Sequence, residues 1–208
     1  MISEMPTEIK KQIEDGIEIL KKGGVIAFPT DTVYGLGACF DDIAAIERIY
    51  RVKQRRDDKG LPVLVADRRQ MEEVVAYVPP LADKLLQSFK KGRLTLVLKK
   101  AKHVPTVVTG GNDTLAVRIT AHPVAQALIK GLGKPVVATS VNLSGESSAL
   151  TAQDASRCLG GEIDLVIEDV SGNEGLESTI VDISGEEAEI LREGVIKRQE
   201  IEQICREN

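Results

Sequence analysis

The sequence predicts an α/β protein built on a mixed sheet. Helix-spaced apolar residues alternate with short apolar runs early in the chain, and the last third reads mostly as strands. At 208 residues the chain can carry one substantial core. It has no internal repeat, low-complexity tract or dividing linker, so one domain over 1–208 is expected.

The elements follow in order. Ile9, Ile13, Ile17 and Leu20 recur at helical spacing, and Gly23-Gly24 stops that helix. Val25 to Phe28 is a short buried strand, followed by a loop of small and polar residues over 29–37. Asp41-Asp42 open a second helix with Ile43, Ile46, Ile49 and Val52 along one side. Leu61 to Val65 reads as a strand, and helical patterns return at 69–76 and 81–90. Further strands are expected at 94–98, 114–119, 135–138, 164–168, 178–183 and 188–191. Helices are expected at 122–131 and at 151–159, the latter capped by Thr151.

Composition narrows the class. Aromatics are 3% with no Trp, so Val, Ile, Leu and Ala must build the core. The same scarcity weakens a base-stacking RNA platform. The polar start argues against a signal peptide, and no stretch approaches the ~18 apolar residues of a membrane span. Cys39, Cys158 and Cys205 are isolated, which disfavours a disulfide framework or a zinc site. A cytoplasmic protein without a membrane role is expected.

Net charge is −5, with 14 acids and four bases in residues 162–208. Residues 84–102 carry seven bases and no acid, and 48–59 carry six bases and two acids. Local basic segments on an acidic protein suit a small polyanion such as a nucleoside triphosphate, although solvated faces would look the same.

Familiar nucleotide motifs are missing. Gly133-Lys134 is followed by Pro135, and Leu128 stands where the first glycine of a phosphate loop should be; Gly35-Leu36-Gly37 lacks its third glycine at Phe40. With only His103 and His122, no metal-ligand set is read from the protein. His122, before Pro123, reads as a capping or packing residue.

Four segments carry chemistry. The loop at 29–37 places Thr30 and Thr32 around Asp31 after a buried strand, either as a ligand loop or as a strand-ending turn. Lys53, Arg55, Arg56 and Lys59 lie between a helix end and a strand, where they could grip phosphate oxygens or answer the helix C-terminus. Residues 135–145 end a buried strand in Thr139, Ser140, Asn142 and Ser144. Arg118, Glu177-Ser178-Thr179 and Arg192 complete the set, each also readable as a surface or ion-pair residue.

In this order and spacing, the segments resemble the YrdC/Sua5/YciO family over about residues 10–197. The similarity is carried by 28–37, by Lys53-Gln54-Arg55, by 138–145, by 178–182 and by 191–194. The family's KxR…SxN signature stands as Lys53, Arg55, Ser140 and Asn142. The resemblance implies a twisted mixed parallel/antiparallel sheet with flanking helices and a concave, basic face. It implies a nucleotidyltransferase that makes threonylcarbamoyl-adenylate and pyrophosphate from ATP with Mg2+, bicarbonate and L-threonine. The product would pass to a transferase system that modifies tRNA position 37.

By position, the resemblance assigns Thr32, Arg118, Ala138 and Ser178 to threonine. It assigns Arg55, Lys59, Thr114, Ser140, Asn142, Ser148 and Arg192 to ATP, with Lys53 and Arg55 catalytic. Three departures stand out: Arg56 after the KxR element, Lys91-Gly92-Arg93 before the 94–98 strand, and Leu64 where some members have a threonine-binding histidine. Two alternatives follow from the same family: binding of double-stranded RNA or tRNA, and carbamoyl-adenylate chemistry on another substrate. The extra C-terminal domain of longer members is not expected.

Overall fold

The computed structural model describes residues 5–159, 161–168 and 175–206. The strands among them are β1 Ile26–Pro29, β2 Tyr34–Cys39, β3 Val63–Val65, β4 Leu94–Lys99, β5 Thr114–Ile119, β6 Val136–Ser140, β7 Leu165–Val166, β8 Thr179–Asp182 and β9 Glu189–Arg192. The helices are α1 Thr7–Lys21, α2 Ile43–Lys53, α3 Arg68–Val74, α4 Pro80–Ser88, α5 Thr106–Thr109, α6 Pro123–Leu132, α7 Ala152–Leu159 and α8 Arg198–Arg206. All these strands join one mixed sheet in the order β7-β1-β2-β6-β3-β5-β4-β8-β9. Pairs β1/β7, β3/β5 and β4/β8 are parallel, and the other neighbours are antiparallel.

One face of the sheet is covered throughout. Val63, Val65, Leu96, Leu98, Leu115, Val117 and Val181 pack there against Ile46 and Ile49 of α2, Met71 of α3, Leu85 of α4 and Ile201 of α8. The other face is covered over half its width. Ile26, Phe28, Leu64 and Val136 pack against Ile9 and Ile13 of α1 and Val124 and Leu128 of α6. Leu64 lies opposite Arg118 in register, so the two side chains emerge on the same face. From Arg118 outward, β5, β4 and β8 have no helix above them in this second core. The pattern of β5 records the boundary: Leu115, Val117 and Ile119 are buried, while Thr114, Ala116 and Arg118 are only half-buried.

Two expectations change. Residues 34–37 belong to β2 rather than to a loop. Glycine is depleted in strands, so Gly35 and Gly37 hide this one. A Cβ on Gly37 would lie 2.7 Å from Phe28 Cε1 and 2.9 Å from Val136 Cγ1, which is why glycine stands between those side chains. The buried face of α2 is Ala45, Ile46, Ile49, Tyr50 and Lys53, and Ile43 is exposed. Helices α5 and α8 were not expected. The expected caps are present: Asp42 accepts from the Ala45 amide at 2.9 Å, and Thr151 from the Asp154 amide at 3.0 Å. His122 is buried at the N-cap position of α6.

Candidate functional site

The uncovered half of the sheet forms the floor of a cleft of about 340 Å³. Thr95 and Val97 of β4 and Ala116 and Arg118 of β5 lie along it. Thr30 and Thr32 enter from the loop between β1 and β2, and Ala138 and Ser140 from the end of β6. Arg55 stands on one rim, and Glu177, Ser178 and Arg192 on another. The charged lining residues are thus three arginines and Glu177.

Arg118 is held by hydroxyls. Its Nη1 donates to Thr32 Oγ1 at 2.9 Å and its Nη2 approaches Thr30 Oγ1 at 3.5 Å. Loss of hydration lowers its pKa, opposed mainly by the negative charge of Asp31. The side chain still keeps part of its surface open to the cleft. Among the described residues no carboxylate lies within ion-pair distance of Arg118, so donors remain for an incoming anion.

Arg192 is bound differently. Its Nε and Nη2 donate to the Ser178 carbonyl at 3.2 and 2.8 Å, and its Nη1 donates to Glu177 Oε2. The Ser178 hydroxyl meets Thr95 Oγ1 at 2.8 Å and receives Arg192 Nη2 at 3.3 Å. Arg192 therefore braces the 177–178 corner with most of its donors engaged.

Lys53 and Arg55 diverge because Gln54 caps α2 in the left-handed region at φ 50°. Lys53 turns inward and is 2% exposed. Its ammonium donates to the Ser140 carbonyl, to Asn142 O at 2.9 Å and to Asn142 Oδ1 at 2.7 Å. Ser140 Oγ also donates to Asn142 Oδ1 at 2.6 Å, and Asn142 Nδ2 donates to Glu146 O at 2.6 Å. Burial, then the nearby Arg55 charge, pushes the Lys53 pKa down to about 8. Arg55 turns outward. Its Nε and Nη2 bind the Lys59 and Gly60 carbonyls at 3.1 and 2.8 Å, leaving Nη1 for the cleft.

The structure brings Thr32, Arg55, Arg118, Ala138, Ser140, Ser178 and Arg192 into one lining. It does not bring in the rest of the expected set. Lys53 and Asn142 lie behind Ser140 as its support, because the ammonium is consumed by backbone and amide oxygens. The expectation of four cations gripping phosphate therefore reduces to Arg55 at the lining. Lys59 is exposed outside it, and Arg56 pairs with Asp58. Thr114 lines an adjoining hollow that shares Gly60, Val97, Ala116 and Leu191 with the cleft. Ser148 is half-buried outside the lining. Leu64 is fully buried beside Arg118 rather than in the cleft. Thr95, Val97 and Ala116 were missed. For Ala116 the signal was the alternation of small or polar with large apolar residues along 114–119, whereas β4 is buried on nearly every residue and offered none.

An open half-sheet with converging arginines and hydroxyls forms, within an α/β fold, a cleft whose lining suits small anionic ligands. Relatives narrow that class. The family model Sua5_yciO_yrdC, described as "Telomere recombination", matches residues 18–194. A threonylcarbamoyl-AMP synthase of Pyrococcus abyssi (strain GE5 / Orsay) is 39% identical over 188 residues, covering 90% of this chain and 55% of the relative. That of Bacillus subtilis (strain 168) is 37% identical over 194 residues, covering 93% and 56%. The crystal structure of P. abyssi Sua5 complexed with L-threonine superposes with a TM-score of 0.90 at 38% identity, covering 97% of this chain and 58% of that one. E. coli YciO gives 0.84 at 29% identity, covering 95% of both chains. The chain belongs to the Sua5/YciO/YrdC family. It spans about half the length of the curated relatives it matches.

Proposed function

We propose that this chain binds L-threonine and MgATP in the cleft and makes threonylcarbamoyl-adenylate. One observation carries the reading: Arg118 stands on the open floor, fixed by the Thr32 hydroxyl and free of a bound carboxylate. Such a group suits the carboxylate of an amino acid, and Ser178 and Ala138 bound a small space beside it. The complex of P. abyssi Sua5 with L-threonine supports the choice of amino acid.

The threonine nitrogen attacks bicarbonate, an N–C bond forms and water leaves. A carbamate oxygen then attacks the α-phosphorus, and the bond to the β-phosphate oxygen breaks to release pyrophosphate. Two anions must meet in that step, so Arg55 at the rim would offset their repulsion and the charge on the leaving group. Lys53 and Asn142 would hold Ser140 in place rather than touch phosphate. Thr114, in the adjoining hollow, and Lys59 and Ser148, outside the lining, would meet only the outer parts of the nucleotide. Mg2+ would arrive with the triphosphate. The adenylate would pass to a tRNA threonylcarbamoyl-transferase system.

The test is to incubate pure protein with ATP, bicarbonate and single amino acids. Pyrophosphate release with L-threonine, and not with L-valine, is expected, since an unmatched polar group costs about 1–3 kcal/mol. Release without an amino acid, or equally with all, would overturn the reading.

A further inference from the structure

Thr30, Asp31 and Thr32 alternate in direction. The two hydroxyls face the cleft and reach Arg118. The Asp31 carboxylate faces away. It accepts from Thr120 Oγ1 at 2.6 Å and from the Ala121 amide at 3.0 and 3.2 Å. Thr120 and Ala121 directly follow β5, the strand that carries Arg118. Loop and strand are therefore joined twice, once inside the cleft and once behind it. Gly92 closes the rear. Its backbone is left-handed at φ +87°, its amide donates to Ile119 O at 2.9 Å, and a Cβ there would overlap the Asp31 carboxyl carbon.

We propose that Asp31 is a positioning residue for the ligand carboxylate: tied to Thr120 and Ala121 and backed by Gly92, it sets Thr30 and Thr32 against Arg118 and supplies a counter-charge from behind. The proposal deepens the reading of the cleft as a threonine site and rests on it for the ligand's identity. The contrast with Arg192 gives the logic. Glu177 binds Arg192 directly and occupies a donor that a ligand would need. Asp31 spends its oxygens on Thr120 and Ala121, so it acts on Arg118 through space and leaves the guanidinium open. The same carboxylate charge helps Arg118 stay ionised against its loss of hydration.

The experiment compares wild type, Asp31→Ala, Asp31→Asn and Gly92→Ala by calorimetric titration of threonine with ATP present, and of ATP alone. Asp31→Ala should weaken threonine roughly ten- to hundredfold, the scale of leaving the buried Thr120 hydroxyl without its half-buried acceptor. ATP affinity should stay within about twofold, because Arg55 and Ser140 lie on other segments. Asp31→Asn, which keeps one acceptor oxygen, should fall between. Gly92→Ala should mimic Asp31→Ala by pushing on the carboxylate, and should add less in the Asp31→Ala background, where the overlap is gone. A merely structural role would lower the melting temperature and weaken both ligands together.

If wild type binds threonine and Asp31→Ala binds it equally well, the proposal is wrong; fully additive Asp31 and Gly92 effects would also overturn it. If wild type binds no threonine, the ligand assignment fails instead. The positioning role is then read from the Arg118 Nε–H NMR signal, identified by its loss in Arg118→Lys. Its exchange with water should be faster in Asp31→Asn and Gly92→Ala than in wild type, and unchanged exchange overturns the role.

Discussion

The two halves of one sheet face do opposite work. Under α1 and α6, β1, β3 and β6 present Ile26, Phe28, Leu64 and Val136, all fully buried. Past β3, the same face presents Thr95, Val97, Ala116 and Arg118 to the cleft. Leu64 and Arg118 are register partners, so core and site are one strand spacing apart, about 4.8 Å. The cleft exists because the helical cover ends there while the opposite face remains fully packed. The packed half fixes the strand positions, and the open half inherits that rigidity.

This contrast breaks most visibly if the covered half is hollowed. Leu128 of α6 is fully buried in that half. Leu128→Ala should cost about 2–5 kcal/mol of stability, read as a lower midpoint in a urea melt. The fraction that stays folded should bind threonine and ATP as before. A selective loss of one ligand would mean that the halves are not separable in this way.

Next comes the open half. Arg118→Ala should weaken threonine by about 2–4 kcal/mol, as for truncating one member of a shielded charge pair. Its melting temperature should hold or rise, because a poorly hydrated charge is removed. Calorimetry and a thermal melt on the same sample check both signs. Unchanged threonine affinity would take Arg118 out of the ligand site.

Ala138 sits on the seam, packed with the second core and lining the cleft. Ala138→Leu should overpack, costing about 1–3 kcal/mol of stability, and should exclude threonine by bulk while ATP still binds. Equal loss of both ligands would mean that the amino-acid and nucleotide spaces overlap at this position.

Much of this was legible in the sequence because the signals were local. The opening helix, Asp42 and Thr151 as caps, and the strand at 114–119 depend on near neighbours. What escaped depends on distant ones. Gly35 and Gly37 mask β2, since the Phe28 and Val136 side chains that require glycine lie on other strands. Lys53 read with Arg55, Arg56 and Lys59 as one run of cations, for phosphate or for the helix C-terminus. Its partners at 140 and 142 stand almost ninety residues away. Asp31 read as part of a ligand loop, and only Thr120, Ala121 and Gly92 reveal which way it faces.

The smallest expected effect concerns that buried lysine, and it has two signs. An unfolded lysine titrates near pH 10.4, whereas Lys53 in the fold is pushed down to about 8. Below about pH 8 both states carry the charge, and this group adds no slope to stability. Between about 8 and 10.4 the unfolded chain keeps a proton that the folded chain has shed, so this group makes stability rise with pH. Activity should move the other way. A neutral amine has two N–H donors for the three oxygens at Ser140 and Asn142, and Ser140 lines the cleft. Pyrophosphate release should therefore fall about twofold by the Lys53 midpoint and further above it, while the melting temperature does not drop in step. The Lys53 ¹³Cε signal, assigned by its absence in Lys53→Met, should titrate with the same midpoint as the activity. A Lys53 midpoint above 10, or activity that falls only together with the melting temperature, would show that the lysine behind the cleft does not set its pH limit.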